Sequence, residues 1–298
     1  MILLTFFVTD LDRSQYEEIR NVSCCPSIII SLAGPYLQIS GAIFVEVFTV
    51  QPFTNYIYLG GNPFAIKQAE YVARVFQAVA RAVNSLRGYY FHLRVRDQPK
   101  FHSPSPTYLP NSPPVEDLEF EHRVLFGGEP DYGRSLFHAK YGDHPVLVKF
   151  CETYGESAHR MLAAVGLAPA LHYCSQILGG AFMVVMDQVQ GQDAFHQFRH
   201  RDLPSTVLED IQLALKTLHD LGHVFGDVRR PNMMVLKIRN QDCNDEWHGQ
   251  LVDFDWSGQV GNARYPPTLN KNIRWPCGVE AGCVIEKQHD LDMLDAQA

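Results

Sequence analysis

The sequence has few of the features that mark secreted or membrane-spanning proteins. Its seven cysteines form no Cys-x-x-Cys pair, and their odd number is a poor match to a disulfide framework. No apolar stretch reaches the roughly 20 residues that a spanning helix needs. The closest one, over residues 26–50, is broken by Gln38, Ser40 and Glu46. We therefore expect an intracellular, cytoplasmic protein with reduced thiols and no membrane partner.

A signal peptide is not indicated at the first residues either. The apolar segment MILLTFFV has no basic region before it and is followed almost at once by Asp10 and Asp12. Such a segment is typical of a core strand.

The sequence also has no excess of basic residues. The chain has 33 Asp and Glu residues against 25 Lys and Arg residues, a formal net charge of −8. Because proteins bind phosphate backbones through clustered Lys and Arg, nucleic acid is not an expected partner. Hydrophobic residues make up 46% of the chain and charged residues 19%, which is the balance of a globular protein and not of a disordered one.

A proline-rich stretch divides the chain into two parts. Residues 97–117 contain six prolines and have no helical or strand periodicity, so they predict a linker. The sequence therefore predicts an N-terminal α+β module of unknown role over residues 1–96, the linker, and a second domain over residues 118–298.

The first module is predicted to be a set of hairpin strands followed by a helix. Apolar positions with helical spacing predict a helix over residues 66–88, with Gly88 as its stop. Alternation over residues 90–96 predicts one more strand. No paired or metal-spaced carboxylates occur here, so no chemistry is assigned. The predicted hairpin strands are SIIISL, YLQIS and GAIFVEVFTV.

The second domain is predicted to begin with strands and to continue with helices. A helix is predicted over residues 152–165 and another over about 206–221. For the latter, Thr206 and Glu209 predict a capping box, and Gly222 ends it. The predicted strands are FEHRVLFGG, SLFHAKYG, PVLVKF, LHYCSQIL and AFMVVMDQV.

Two motifs in this domain carry the chemistry. In VFGDVRRPNMMVL, Asp227 precedes Asn232 with the spacing of a kinase catalytic loop, and in LVDFDWSG a short apolar strand leads into Asp253. Phosphoryl transfer needs a carboxylate that orients and deprotonates the attacking hydroxyl, and an amide and a second carboxylate that hold Mg²⁺. Asp227 is therefore a candidate catalytic base, and Asn232 and Asp253 are candidate metal ligands. A chance Asp-x4-Asn in a surface turn is the alternative for the first motif alone.

With these motifs, the chain from residue 119 resembles the protein-kinase-like superfamily. The resemblance is to compact fungal kinase-like proteins and to the group of aminoglycoside phosphotransferases and choline kinases. It implies an α+β, two-lobed fold, with a shortened C-terminal lobe because only 45 residues follow Asp253. It also implies ATP and Mg²⁺ as cofactors, and ATP and a protein or small hydroxylated substrate as partners.

The resemblance extends to the residues that would hold the nucleotide. Lys149, in VLVKF, has the position of the strand lysine that binds the α- and β-phosphates. Glu156 has the position of the helix glutamate that pairs with this lysine, and Glu152 is its rival. Such a carboxylate would fix the lysine before nucleotide binds. An exposed strand lysine and a solvated helix glutamate are the structural alternatives.

Three further ATP-binding candidates are positional. Met186 would lie behind the adenine, although an ordinary core methionine fits equally well. Gly127 and Gly128 would belong to a phosphate loop, but their spacing is irregular and turn glycines have the same chemistry.

Some residues depart from the protein-kinase pattern. Phe225-Gly226 replaces His-Arg, so regulation by a phosphorylated activation loop is not expected. Arg229 takes the place of the loop lysine and is a further catalytic candidate, since a guanidinium can also neutralise a phosphoryl group. Asp255 replaces the glycine of the metal-binding triplet, and this predicts a fixed arrangement there. Asp290 is expected to anchor the catalytic loop, with a surface acidic cluster as the alternative.

Three functions remain open on these residues. The first is a protein Ser/Thr kinase, which transfers the γ-phosphoryl group of ATP to a hydroxyl. The second is a small-molecule kinase, favoured by Gly226-Asp227 and by the short C-terminal lobe. The third is a pseudokinase that binds a partner without turnover, favoured by the irregular glycine loop.

Overall fold

The computed structural model divides the chain into two compact units, Met1–Ser103 and Pro104–Ala298. This boundary lies inside the predicted proline-rich linker; that each unit folds alone stays a prediction. None of the described helices is long and apolar enough to cross a membrane. The residues that the structure describes are 2–4, 19, 22–44, 48–60, 66–93, 103–126, 129–130, 135–239 and 245–297.

The first unit contains an antiparallel sheet. The predicted hairpin strands are confirmed, except that YLQIS and the start of GAIFVEVFTV form one continuous strand, β3 (Tyr36–Phe44). β3 pairs with strands on both sides, and Ile39 and Leu37 are buried on it. The other strands are β1 (Ile2–Leu4), β2 (Ser27–Ala33), β4 (Phe48–Pro52) and β5 (Ile57–Tyr58).

The helix of the first unit, α1 (Ile66–Phe91), is longer than the predicted helix over residues 66–88. Gly88 does not end it, and the start of the predicted strand over residues 90–96 is helical instead; residues 94–96 lie outside the described part of the chain. Two tyrosines next to Gly88 make hydrogen bonds to the segment before β2, so tertiary contacts override the stop signal. These bonds join the hydroxyls of Tyr89 and Ser23 at 2.8 Å, and the hydroxyl of Tyr90 to the carbonyl of Pro26 at 3.0 Å.

The second unit begins with a five-stranded antiparallel sheet in the order β11-β12-β10-β9-β6. Its strands confirm the five predicted segments. Alternate residues of its central strand, Val146 and Val148, are fully buried and pack on Met183 and Val185 of the neighbouring strand. These strands are β6 (Leu118–Arg123), β9 (Ser135–Tyr141), β10 (His144–Cys151), β11 (Leu171–Gln176) and β12 (Phe182–Asp187). Between β6 and β9 in the sequence is a short antiparallel pair, β7 (Leu125–Phe126) and β8 (Glu129–Pro130).

The second half of the proline-rich stretch belongs to this unit. Tyr108 forms a β-bridge with Ile177, and the hydroxyls of Ser112 and Ser175 are 2.8 Å apart. Tyr108 and Val115 also pack against the core of the five-stranded sheet. This part of the stretch is therefore bound to the edge of the sheet and is not a free spacer.

Helix α2 (Glu156–Ala163) is shorter than the predicted helix over residues 152–165. The residues before it bind another segment of the chain instead of forming a helical turn. The hydroxyl of Thr153 donates to the carbonyl of Asp255 at 2.8 Å, and the N–H of Gly155 donates to the carbonyl of Phe254 at 2.9 Å.

The rest of the second unit is built around helix α4 (Ser205–Asp220), close to the predicted 206–221. Its apolar face is buried against the hairpin of β15 (Met233–Arg239) and β16 (Asp245–Leu251). The predicted capping box is wrong, because the hydroxyl of Thr206 donates to the carbonyl of Trp247 at 2.5 Å and no side chain caps the helix. The remaining elements are β13 (Gln192–Asp193), α3 (Ala194–Gln197), β14 (His223–Val224), β17 (Gly258–Gln259) and α5 (Lys287–Asp295).

The second unit is thus α+β and has two lobes, as expected for a protein-kinase-like fold. A strand-rich lobe precedes a lobe of helices and a hairpin, and each lobe has its own core. The buried residues of α2, Ala158 and Leu162, belong to the core of the second lobe. A small α+β unit precedes the second unit in the sequence, as predicted.

Candidate active site

The loop that carries Asp227 connects β14 to β15. Gly226 has a φ of +90°, which strains any residue with a side chain, and a Cβ there would lie 2.8 Å from Cδ1 of Ile285. After Asp227, a turn of 3-10 helix over Arg230–Asn232 leads into β15. These sharp turns keep Asp227 and Asn232 within one short loop.

Asp290 of α5 anchors this loop, as predicted. Its carboxylate is fully buried and accepts hydrogen bonds from the backbone N–H of Phe225 at 2.9 Å and of Gly226 at 2.7 Å. Nε2 of His219 donates a third bond at 2.9 Å. Because burying a carboxylate is costly unless donors satisfy it, these bonds stabilise one conformation of the loop.

Asp227 is buried and held by its neighbours in the loop. Both of its carboxylate oxygens accept from the guanidinium of Arg229, with Nη2 at 2.6 Å from Oδ2. Asn232 Nδ2 donates to the backbone carbonyl of Asp227 at 3.0 Å. Burial raises the pKa of Asp227, and the guanidinium of Arg229 opposes this rise. The Arg229 guanidinium also lies 5.3 Å from the centroid of the Trp275 ring, which fixes it from its other side.

The segment with Asp253 is joined to this loop through the backbone. The N–H of Val252 donates to the carbonyl of Asn232 at 3.0 Å. Asp253 has a φ of +70°, in the left-handed region that few residues other than glycine adopt. Its charge is near enough to contribute to the raised pKa of Asp227. The structure therefore brings Asp227, Asn232 and Asp253 together.

Lys149 of β10 reaches the same place from the strand-rich lobe. Its Nζ is bound to Oδ1 of Asp253 and lies 2.6 Å from Oδ1 of Asp255. Burial alone would lower the pKa of Lys149, but the two carboxylates outweigh burial and raise it. The ammonium therefore stays charged and links the two lobes.

Asp255 is the site residue whose contacts sequence reasoning missed. Its carboxylate binds Lys149, and its backbone carbonyl accepts from the hydroxyl of Thr153. Burial raises the pKa of Asp255 to about 6, an effect that Lys149 opposes. The available signal was the polar alternation of Lys149, Cys151 and Thr153, since residues two apart on an extended chain share a face.

Phe254 is packed into the core between these two carboxylates. Its ring stacks on His159 of α2, with 4.5 Å between centroids and 6° between planes, and meets Phe225 edge-on at 5.3 Å. Nε2 of His159 donates to the carbonyl of Pro169 at 2.8 Å, so Nδ1 accepts from the hydroxyl of Tyr154 at 2.6 Å. Burial lowers the pKa of His159 to about 4, which keeps the ring neutral at pH 7. A histidine on the buried face of a predicted helix gave no signal of this contact.

The structure does not bring Glu156 to Lys149. Glu156 accepts from Nε of Arg160 at 2.8 Å, and 43% of its side-chain surface is exposed. This is an i,i+4 pair within α2, which such residues form readily on a helix surface. Glu152 is exposed as well.

The other nucleotide-binding candidates are placed as follows. Met186 is buried at the end of β12, opposite Leu147 and Leu171. Gly127 and Gly128 lie outside the described residues.

The donor set suits Mg²⁺ on a nucleotide better than a protein-only metal site. Among the described residues, no group of three or more His, Cys, Asp or Glu has the arrangement of a metal site. Mg²⁺ does not require one, because it is held in kinase sites by one or two carboxylates together with substrate phosphates and water. The carboxylate of Asp253 and the side-chain oxygen of Asn232 are ligands of this type.

Similarity to known proteins is found among solved structures. No protein-family model matches the chain, and no curated protein matches it. Among solved structures, the chain matches the Cydia pomonella granulovirus kinase PK-1 at 16% identity and a TM-score of 0.42, over 61% of this chain and 69% of that chain. The fold assignment rests on the strand pairing and element order described above.

Proposed function

We propose that the second unit is an ATP- and Mg²⁺-dependent phosphotransferase, with a protein Ser or Thr hydroxyl as the acceptor. One observation carries the proposal: Lys149 and Asp253, 104 positions apart, form an ion pair beside a loop that is hydrogen-bonded to the Asp253 segment. Burying an ion pair between two lobes costs free energy, and ionisable groups with perturbed pKa values are common at functional sites.

Each of these residues has a role in this reaction. Asp253 and Asn232 would hold Mg²⁺, which neutralises charge on the nucleotide phosphates when bound. The ammonium of Lys149 binds phosphate oxygens, and the carboxylate of Asp227 orients the acceptor hydroxyl and takes its proton. Because burial raises the pKa of Asp227, its carboxylate is a better proton acceptor than an exposed one. The guanidinium of Arg229 keeps Asp227 oriented and would neutralise charge on the transferred group.

The charges near Arg229 favour a protein acceptor over a cationic amino alcohol. A cavity of about 660 Å³ lies beside Arg229 and is lined by apolar side chains such as Trp275 and Ile273. Its charged lining consists of three arginines and a single acid, Asp292. An amino alcohol of the choline or aminoglycoside type would need more carboxylates here, whereas an extended peptide needs apolar surface. The arginines in this lining are Arg229, Arg230 and Arg274.

Nucleotide binding is tested by thermal unfolding. We expect saturating Mg-ATP to raise the melting temperature by roughly 5 to 10 °C at about a hundredfold excess over Kd, because a ligand of the folded state stabilises it by mass action. The shift should require divalent metal and should largely vanish in Asp253→Asn. Asp220→Asn, which changes an exposed carboxylate on α4, is the matched control and should keep the shift. No shift in the unaltered protein would overturn the proposal.

The acceptor is tested by transfer of label from γ-labelled ATP, first to a protein mixture and then to a panel of amino alcohols. Label on Ser or Thr of proteins supports the proposed class. Label on amino alcohols alone would replace it with a small-molecule kinase. A nucleotide-dependent thermal shift without transfer to either would identify a pseudokinase scaffold.

A further inference from the structure

The ammonium of Lys149 is held by two carboxylates of one short segment and not by the helix glutamate. It contacts Asp253 and Asp255, while the carboxylate of Glu156 is bound to Arg160. The side chain of Lys149 is only 16% exposed, so the carboxylate that pairs with it determines where the ammonium lies.

Asp255 is also held through its backbone by a residue just after the strand that carries Lys149. Its carbonyl accepts from the hydroxyl of Thr153 at 2.8 Å. Lys149 and Thr153 therefore both bind this one aspartate. A carboxylate fixed in this way can orient an ammonium, because the entropy of ordering both groups is lost before any ligand arrives.

Asp253 is not suited to hold Lys149 alone. In the proposed function its oxygens are ligands of Mg²⁺, and a bound ammonium competes with a metal ion for the same oxygens. Asp255 is not one of the proposed Mg²⁺ ligands, so its carboxylate stays available to Lys149 when the metal is bound.

We propose that Asp255 is the positioning residue for Lys149, in place of the helix glutamate. This inference rests on the proposed nucleotide-binding function and adds to it the residue that orients the phosphate-binding lysine. Without Asp255, Lys149 would stay on Asp253 and obstruct the metal site. Asp255→Asn should therefore weaken Mg-ATP binding about tenfold, which lies within the coupling of contacting residues.

The experiment is a double-mutant cycle on the Kd of Mg-ATP, measured by calorimetry without turnover. It compares the unaltered protein, Asp255→Asn, Lys149→Met and the double variant, after circular dichroism has established that each is folded. We expect the tenfold effect of Asp255→Asn to disappear in the Lys149→Met background, because Asp255 then has no ammonium to position. If Asp255→Asn does not fold, Asp255→Gly replaces it and avoids leaving a buried amide.

Two matched sets complete the test. Glu156→Gln, alone and with Lys149→Met, examines the competing carboxylate and should change Kd by less than about twofold. Asp220→Asn with Lys216→Met alters another carboxylate–lysine pair, an exposed one on α4, and should leave Kd unchanged.

The outcomes separate the inference from the function on which it rests. If Asp255→Asn weakens binding equally with and without Lys149, or if Glu156 and not Asp255 couples to Lys149, the inference is overturned while the nucleotide site stands. If the unaltered protein binds no Mg-ATP, the proposed function fails first and the inference fails with it.

Discussion

The two units differ sharply in the polar groups that they bury. Among the described residues, the first unit buries two serines, Ser23 and Ser40, and no acid or histidine. The second unit buries acids, histidines and an amide, and three of these groups form the Asp227 loop or hold it. Since burying such groups is costly unless they are hydrogen-bonded, their concentration in one unit indicates that its interior does more than fold. The buried acids, histidines and amide are Asp227, Asp290, His159, His223, His289 and Asn232.

The strongest test of this contrast is the removal of one charge from the Asp227 loop. Asp227→Asn should lower the rate of phosphoryl transfer on the order of 10²-fold or more, with nucleotide affinity almost intact, because the carboxylate acts on the acceptor hydroxyl. Rates come from labelled-ATP transfer and affinity from calorimetry. Asp220→Asn serves as the control. A variant that keeps most of its transfer rate would remove Asp227 from the role of base.

The next test concerns the residues that hold the Asp227 loop, and it measures the free energy of unfolding instead of activity. Asp290→Ala leaves the N–H groups of Phe225 and Gly226 without their acceptor in the core, and we expect a loss of roughly 2 to 4 kcal/mol of unfolding free energy. Asp295→Ala on the same helix, at an exposed position, should change it by less than about 0.5 kcal/mol.

The first unit provides the counterpart to this measurement. Ser23→Ala removes a hydroxyl that binds Tyr89 and the N–H of Cys25, and should cost about 1 kcal/mol. Urea unfolding of these variants gives the comparison. Equal losses for Asp290→Ala and Ser23→Ala would erase the contrast between the two units.

Sequence reasoning predicted the parts of the site whose residues lie close together along the chain. The Asp227 loop and the Asp253 segment follow from local spacing, and Asp290 follows from the family resemblance. The structure brings these residues together, and their roles stay predictions. The partner of Lys149 could not be predicted in this way. Glu156 and Asp255 are both acids at plausible distances in sequence, and the choice depends on how β10 faces a segment about 100 residues later.

The elements of the fold also divide into those set by local sequence, which were predicted, and those set by distant contacts, which were not. Strand alternation and the apolar face of α4 were sufficient to predict those elements. The failures include the capping box at Thr206 and the stop at Gly88, where distant residues bind the groups concerned. Local signals cannot contain such contacts, because tertiary packing routinely overrides propensity.

The boundary between the units gives a further test. A fragment of residues 104–298 keeps Tyr108, Ser112 and Val115 on the sheet edge, whereas a fragment of residues 116–298 loses them. Burial of these side chains predicts that the longer fragment is more stable by roughly 2 to 3 kcal/mol. Urea unfolding and the thermal response to Mg-ATP measure both. If the two fragments are equally stable, residues 104–115 contribute nothing to the second unit; if both aggregate while the full chain stays folded, the two units fold as one.

A last test concerns the pH dependence of the buried histidine in α2. The pKa of His159 falls from an ordinary 6.5 to about 4 on folding, so between these values the unfolded chain binds the proton more tightly than the folded one. The unfolding free energy therefore rises with pH across this window, and the contribution of His159 is lost as pH falls towards 4. Between pH 7 and pH 5 this amounts to roughly 1 to 2 kcal/mol.

His159→Gln removes the titration while leaving a donor and an acceptor for Pro169 and Tyr154. The unfolding free energy of this variant should therefore fall less steeply over that range. His200→Gln, at an exposed histidine, should retain the slope of the unaltered protein. Urea unfolding of the three proteins at pH 5, 6 and 7 gives the slopes, and parallel slopes for all three would mean that the stacked ring on Phe254 can take up a proton without cost.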